Sequence, residues 1–384
     1  MTSHEVDSDV SGLRLRRCPS NGDKSGKTSV NLGPQATVER DVNCVNYLQV
    51  KNVTHILQSM AQSAEEFARQ IWMRDWQVVH FDRLPAWLGD NELLMRGHRP
   101  QLYTVWTCFT SIFRVHTETG NIWSHLLGCG GFTVIAAFIL LQPDQLIQWQ
   151  EKLVFAAFFV GAILCLGFSC LFHTVMCHSE SISRLLNKLD YCGIAFLTVG
   201  SFVPYIYYSF YCLFWHKVFY MTLIVVLGSG VIGVSMCDTF AKPAYRSLRA
   251  LMFIALGLSG VIPCVHTIVI AGFWESVENN SLGWLFLMAV LYISGASIYA
   301  ARIPERILPG RFDIWVSSHY YLQNFQSHQI FHVFVVIAAM VHYHGIGLLT
   351  SHQLSVGDCS PPDGHLFPKH EFDNIELLWP FMPS

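Results

Sequence analysis

The chain has 384 residues, of which 52% are hydrophobic, 14% aromatic and only 13% charged, 24 Lys+Arg against 27 Asp+Glu. A soluble globular protein carries about 25% charge, so this composition excludes a disordered chain, a disulfide-rich secreted module and a nucleic-acid binder, which needs a basic surplus. The net charge of −3 names no partner, but residues 119–357 hold only 19 of the 51 charges, leaving a charge-poor body between polar ends.

Residues 1–45 are rich in Ser, Asp, Lys and Gly without periodicity and read as a disordered tail. From Ile56 to Trp76 apolar residues recur at helical spacing (Ile56, Met60, Ala64, Phe67, Ile71) with charges between them, which predicts an amphipathic helix. Leu84 to Asn91 reads as a turn, and Val105–Val115 as a segment lying along a membrane surface. Residues 46–118 are thus expected to form a helical cap and juxtamembrane segment without chemistry of its own.

Seven windows free of Asp, Glu, Lys and Arg follow: 119–143, 153–179, 191–216, 218–237, 250–274, 279–301 and 314–357. Crossing a bilayer takes about 20 mostly apolar residues in a helix. Six windows fit one crossing each. The seventh is longer, but its apolar part runs from about Phe325 to Leu349 and again allows one. Buried helices of a soluble protein do not repeat such lengths seven times. The predicted fold is therefore all-α, an integral membrane bundle of seven helices over 119–349 with a tail from 350 to 384.

Lys and Arg near the span ends set orientation. Arg96, Arg99, Arg114, Arg184, Lys188, Lys242, Arg246, Arg249, Arg302, Arg306 and Arg311 lie on the side of the N-terminus, against Lys152, Lys217 and Lys369 on the other. This asymmetry puts the N-terminus in the cytoplasm and the C-terminus outside, an inverted topology. Residues 1–30 hold no apolar stretch of the kind a cleaved signal peptide needs. Of the twelve cysteines, Cys129, Cys165, Cys170, Cys192, Cys212 and Cys264 fall within spans and are expected to act as small hydrophobes.

Ionisable groups inside membranes are costly and mark function. Span two ends in Ser169-Cys170-Leu171-Phe172-His173, span three opens with Asp190, and span seven opens with Ser327-His328-Gln329-Ile330-Phe331-His332. Following the chain back and forth brings His173, Asp190, His328 and His332 to one depth, at the cytoplasmic leaflet. His328 and His332 share a helical face and, with His173, offer three nitrogens to a metal. Imidazole suits zinc, and three protein ligands leave a fourth position for water, as in catalytic sites. Zinc lowers the pKa of bound water towards ~7 and polarises carbonyls, which suits amide or ester hydrolysis. Asp190 could orient or deprotonate that water, or ligate through it. Ser169, one turn before His173, could donate a hydrogen bond to a substrate oxygen or to the water. An isolated HxxxH is a weak signal, and without Glu after the first His it is no protease motif. Isolated membrane histidines more often bond a neighbouring helix or face water, which is the reading for His125, His266, His342 and His344.

The strings His116–Trp123 (HTETGNIW), Ser169–His178 (SCLFHTVMCH), Lys188–Tyr191, Gly200–Pro204, Tyr299–Arg306 (YAARIPER) and Ser327–His332 resemble the adiponectin receptors of the progestin and adipoQ receptor family, over about residues 65 to 345. The resemblance implies an inverted seven-helix protein of the plasma membrane, with zinc held by His173, His328 and His332, Asp190 positioning water and Ser169 in a Ser-x-x-x-His element. It further implies a receptor for an adiponectin-like protein hormone on the outer side, coupled to fatty-acid oxidation and glucose metabolism. A zinc-dependent ceramidase activity, releasing sphingosine and fatty acid, is implied as well. Two stretches depart from the family pattern: Val316–Asn324, inserted before span seven and expected to be a harmless loop, and the tail beyond about Gly345. Three functions compete: a receptor that hydrolyses ceramide or a related lipid, a receptor with structural zinc that signals through a cytoplasmic adaptor, and a transporter relaying through its histidines. The transporter ranks last, because the outer halves of the spans are largely apolar. Homo-oligomers are compatible with all three.

Overall fold

A computed structural model describes residues 55–63, 76–144, 147–240, 242–279, 281–313, 325–356 and 359. The chain divides into two units, Met1–Met73 and Arg74–Ser384. In the first, 55–63 is helical, the opening part of the amphipathic helix expected from Ile56; its continuation, the 1–45 tail, the Val316–Asn324 insert and most of the C-terminal tail lie outside the described residues.

The second unit is helical throughout its membrane part. After an antiparallel bridge between Val79 and His98 come the short helix α1 (Val105–Thr110) and then α2 (Thr119–Leu140), α3 (Trp149–Val175), α4 (Glu180–Ser209) and α5 (Phe214–Ser235). They are followed by α6 (Arg246–Leu258), α7 (Val261–Ala271), the short α8 (Phe273–Glu278), α9 (Leu282–Ala301) and α10 (Ser327–Val356). Among the described residues, seven helical stretches are long and apolar enough to cross a membrane: α2, α3, α4, α5, α6 with α7, α9 and α10. That is the expected number, in the expected windows. Their outward faces carry large exposed apolar side chains such as Leu127, Val134, Val226, Val269 and Phe286, as a lipid-facing surface requires.

Helix ends depart from the charge-free windows in informative ways. α4 begins at Glu180, so Asp190 lies ten residues inside it, about 15 Å along its axis, and not at its start. Charge sets where a helix can enter lipid, not where it can begin. α10 likewise continues to Val356, past the apolar limit at Leu349. The fifth span is broken between α6 and α7. Pro263 has no N–H for the Ser259 carbonyl four residues back and its ring crowds that carbonyl.

α3 packs most extensively on α4, with α2 against α3 and α9 against α10. Glycines bring α3 and α4 together: a Cβ at Gly161 would stand 2.5 Å from the Phe196 carbonyl oxygen, and one at Gly200 equally close to that of Ala157. Small residues at such crossings let backbones meet where no hydrophobic effect drives helices together. Phe155, Phe158, Phe159, Leu166, Tyr208 and Ile346 fill the fully buried centre.

The segment before α1 is docked on the same end of the bundle as Asp190. Arg302 donates to the Glu92 carboxylate and the Asp90 carbonyl, both at 2.9 Å, and Arg246 pairs with the Asp90 carboxylate. Asp313 accepts the backbone N–H groups of Met95 and Arg96 at 2.9 and 3.0 Å. At the opposite end Cys212, three residues past α4, is joined to Cys359 by a disulfide. This corrects the reading of Cys212 as a small hydrophobe within a span: α4 ends at Ser209, which leaves Cys212 in the connection to α5.

Candidate metal centre

His173 stands in the last turn of α3, His328 and His332 in the first two turns of α10. Their ring centroids are 4.9 Å (His173–His328), 4.8 Å (His173–His332) and 4.7 Å (His328–His332) apart, and one nitrogen from each lies within 4.8 Å of the other two. The three imidazoles expected to meet therefore do meet, and together they could hold a metal ion. His173 and His332 are each only 2% exposed.

The outward nitrogens of two rings are already engaged. His173 Nδ1 is 2.7 Å from Glu118 Oε2, and the same oxygen accepts from Asn121 Nδ2 at 2.7 Å. His332 Nδ1 donates to the Asn121 carbonyl at 3.2 Å. Each contact commits Nδ1 as a donor and leaves the lone pair on Nε2; His173 Nε2 is buried without a partner among the described residues. Metal-ligating histidines are fixed in this way, with the second nitrogen given to a carboxylate or carbonyl. The residues present thus fit a metal. Burial works against the charge of Glu118, but the hydrogen bonds it accepts from His173 and Asn121 hold its carboxyl below the usual carboxylate range and keep it ionised. The His125 ring lies flat on His332, centroids 3.7 Å apart.

Two further anchors set the histidines' helices. Buried Arg99 donates to Ser111 Oγ, to the Thr174 carbonyl at 2.9 Å and to the His173 carbonyl, capping the end of α3. Buried Glu305 accepts the Ser327 N–H at 2.8 Å and its hydroxyl, so a carboxylate sits at the N-terminus of α10 one residue before His328. Gln326 and Gln329 both donate to the Thr117 carbonyl, at 2.6 and 3.1 Å. Arg99 and Glu118 both lie in 46–118, the segment expected to be a cap without chemistry, and their hydrogen bonds tie it to the end of α3. Sequence reading missed Glu118, Asn121, Arg99 and Glu305. The signal for the first two was present in HTETGNIW, where an acid and an amide one helical turn apart precede an apolar span.

Ser169, His173, Asp190, His328 and His332 line one cavity of about 720 Å³. Ser169 Oγ is buried there beside Asp190, with no hydrogen bond of good geometry among the described residues. From this polar end the cavity runs between α4, α7, α9 and α10 past Leu197, Phe202, Cys264, Leu285 and Met288. Of the other membrane histidines, His266 bonds Tyr220 of α5 at 2.9 Å, His342 the Ser201 carbonyl of α4 at 3.0 Å, and His344 packs edge-on against Trp284 of α9. For these three, contact with a neighbouring helix is what the sequence suggested; His125 instead stacks on the triad.

Fold and site together define a multi-pass membrane protein of seven helices with a buried cluster of three imidazoles near one end. The profile of the haemolysin-III-related family matches residues 113–343, and the chain belongs to this family, that of the progestin and adipoQ receptors. It is similar to the adiponectin receptor protein of Drosophila melanogaster, 53% identical over 79% of this chain and 66% of the relative. The progestin and adipoQ receptor-like protein 1 of Caenorhabditis elegans is 51% identical over 71% of this chain and 60% of its own length. The ADIPOR-like receptor IZH2 of Saccharomyces cerevisiae is 37% identical over 72% and 85%. The chain thus spans under two thirds of the length of the first two relatives it matches.

Proposed function

We propose that this chain is an adiponectin-receptor-like protein of the plasma membrane, with a cytoplasmic N-terminus, that binds a protein hormone outside and hydrolyses ceramide or a related lipid amide at a zinc site near the inner leaflet. In this reading 1–45 is a cytoplasmic tail, 46–118 the cytoplasmic cap, 119–349 the zinc-binding membrane domain and 350–384 an extracellular tail. The observation that carries it is the set of three imidazoles, two of them turned by Glu118 and Asn121 to present Nε2, at the polar end of a long apolar cavity.

A zinc ion held by His173, His328 and His332 would supply polarisation of a carbonyl and acidification of water. The chain's residues do the rest. Asp190 takes the proton from the attacking water and returns it to the amide nitrogen, so that water and amide become fatty acid and amine. The buried Ser169 hydroxyl, beside Asp190, donates to the substrate oxygen. The apolar walls hold the acyl and sphingoid chains out of water. The orientation is supported by the excess of Lys and Arg at the triad end and by the Cys212–Cys359 disulfide at the other, since disulfides persist in oxidising compartments. The names of the Drosophila and nematode relatives support the hormone.

The test is purified Asp190→Ala beside the wild type, measured for bound zinc and for release of sphingosine from ceramide. Zinc retained with hydrolysis lost is expected. Full hydrolysis by Asp190→Ala would remove the role given to that carboxylate. A wild type that binds zinc stoichiometrically and never cleaves ceramide would leave a receptor with structural metal.

A further inference from the structure

Beside the end of α3 two thiols meet that the proposed chemistry leaves unused. Cys108 lies in α1 and Cys177 two residues past α3, and their sulfurs are 3.7 Å apart. Both are buried, 0% and 1% exposed, and they pack with Leu88 and Leu102 in a small core of their own. A disulfide has its sulfurs about 2.05 Å apart, so bonding asks for an approach of under about 2 Å.

The two sulfurs are not equivalent. The two thiols share a hydrogen bond at 3.7 Å, and that bond, helped by the nearby Arg99 guanidinium and opposed by burial, holds the Cys177 thiol down to about 7. Cys108 is pushed up by the same bond and by burial. A thiolate attacks and a neighbouring thiol resolves, which is the division of labour of a disulfide-forming pair. The pair also joins the right elements. Arg99 bridges Ser111, just past α1, to the carbonyls of Thr174 and His173, so a bond between the sulfurs would staple a contact the fold already makes.

We propose that Cys108 and Cys177 are a modification site, closing to a reversible disulfide on exposure to a hydroperoxide. The Cys177 thiolate attacks one peroxide oxygen; the O–O bond breaks, the sulfur becomes a sulfenic acid, and the departing oxygen leaves as alcohol or water with a proton. The Cys108 sulfur then attacks the sulfenic sulfur. The S–S bond forms, the S–O bond breaks, and hydroxide leaves with the Cys108 proton as water. Two thiols lose two electrons and one hydroperoxide is reduced. Access comes through opening of α1, six residues long and exposing Val105, Trp106 and Phe109. Hydrogen peroxide and a lipid hydroperoxide share the required chemistry. The proposal stands whether or not the triad hydrolyses a lipid.

The test treats the full-length protein in lipid nanodiscs with hydrogen peroxide in one arm and a fatty-acid hydroperoxide in the other. Free thiols are then alkylated under denaturing conditions and peptides mapped by mass. Expected is a linked Cys108–Cys177 peptide in at least one arm, abolished by reductant, with loss of both alkylated peptides; the arm in which it forms faster names the source. In Cys108→Ser, Cys177 should stop at a sulfenic acid trapped by a dione reagent, and in Cys177→Ser, Cys108 should stay alkylatable. The exposed thiol of Cys237 reports that oxidant was delivered. Oxidation of Cys237 with Cys108 and Cys177 still free in both arms overturns the proposal, and so does equal loss of Cys108 in Cys177→Ser. The wild-type map decides even if a variant fails to fold.

Discussion

Glu118 shows how much of a candidate metal site can lie outside its three imidazoles. Its carboxylate is held by Asn121 and by His173, and Asn121 in turn takes the proton-bearing nitrogen of His332 through its carbonyl, so one turn at the start of α2 orients imidazoles from both α3 and α10. Losing such an outer partner costs about 10–100-fold in metal affinity. Glu118→Gln should therefore bind zinc about 10–100-fold more weakly while keeping the fold, as read by chelator competition and circular dichroism. An unchanged affinity would mean that Glu118 does not orient His173. The grouping of the three imidazoles was legible from residue type, spacing and span count. Glu118 was not, because an acid at the start of a helix is equally an ordinary stabiliser of its N-terminus. Only the 2.7 Å contact with a residue 55 positions away distinguishes the two.

At the scale of elements, the pairing of α3 with α4 places Ser169, His173 and Asp190 on one cavity, and that pairing depends on absent side chains. Gly161→Ala would push a methyl group against the Phe196 carbonyl, which cannot yield without moving the helix. Overpacking of this kind costs about 1–3 kcal/mol. A lower midpoint of thermal unfolding in detergent is expected for Gly161→Ala, whereas Gly130→Ala, with open space around its Cβ, should be neutral. Equal stability of the two variants would count against the close crossing. Hydropathy located these helices but not their ends, because a helix such as α4 runs on in charged sequence beyond the lipid. It also could not show the break between α6 and α7, which arises from backbone geometry at Pro263.

Across the whole molecule, the two ends differ in chemistry as they do in charge. Arginines and the triad lie at one end, the Cys212–Cys359 disulfide at the other. On intact cells, an impermeant reductant followed by an impermeant maleimide should label Cys212 and Cys359, and an N-terminal epitope should be seen only after permeabilisation. Labelling of the epitope on intact cells would reverse the topology proposed above, and with it the leaflet assigned to the triad.

The sequence by itself determined that the chain is a seven-helix membrane protein and that His173, His328 and His332 share one level of it. Span length and charge asymmetry are local properties of the chain, and the number of crossings between two residues fixes the depth they share. The tertiary structure alone decided what surrounds those imidazoles: the carboxylate of Glu118, the caps at Arg99 and Glu305, the apolar cavity, and the two cysteine pairs. These depend on which faces of helices far apart in sequence are turned toward each other. That rotation is set by packing over the whole bundle and leaves no periodic trace in any one segment.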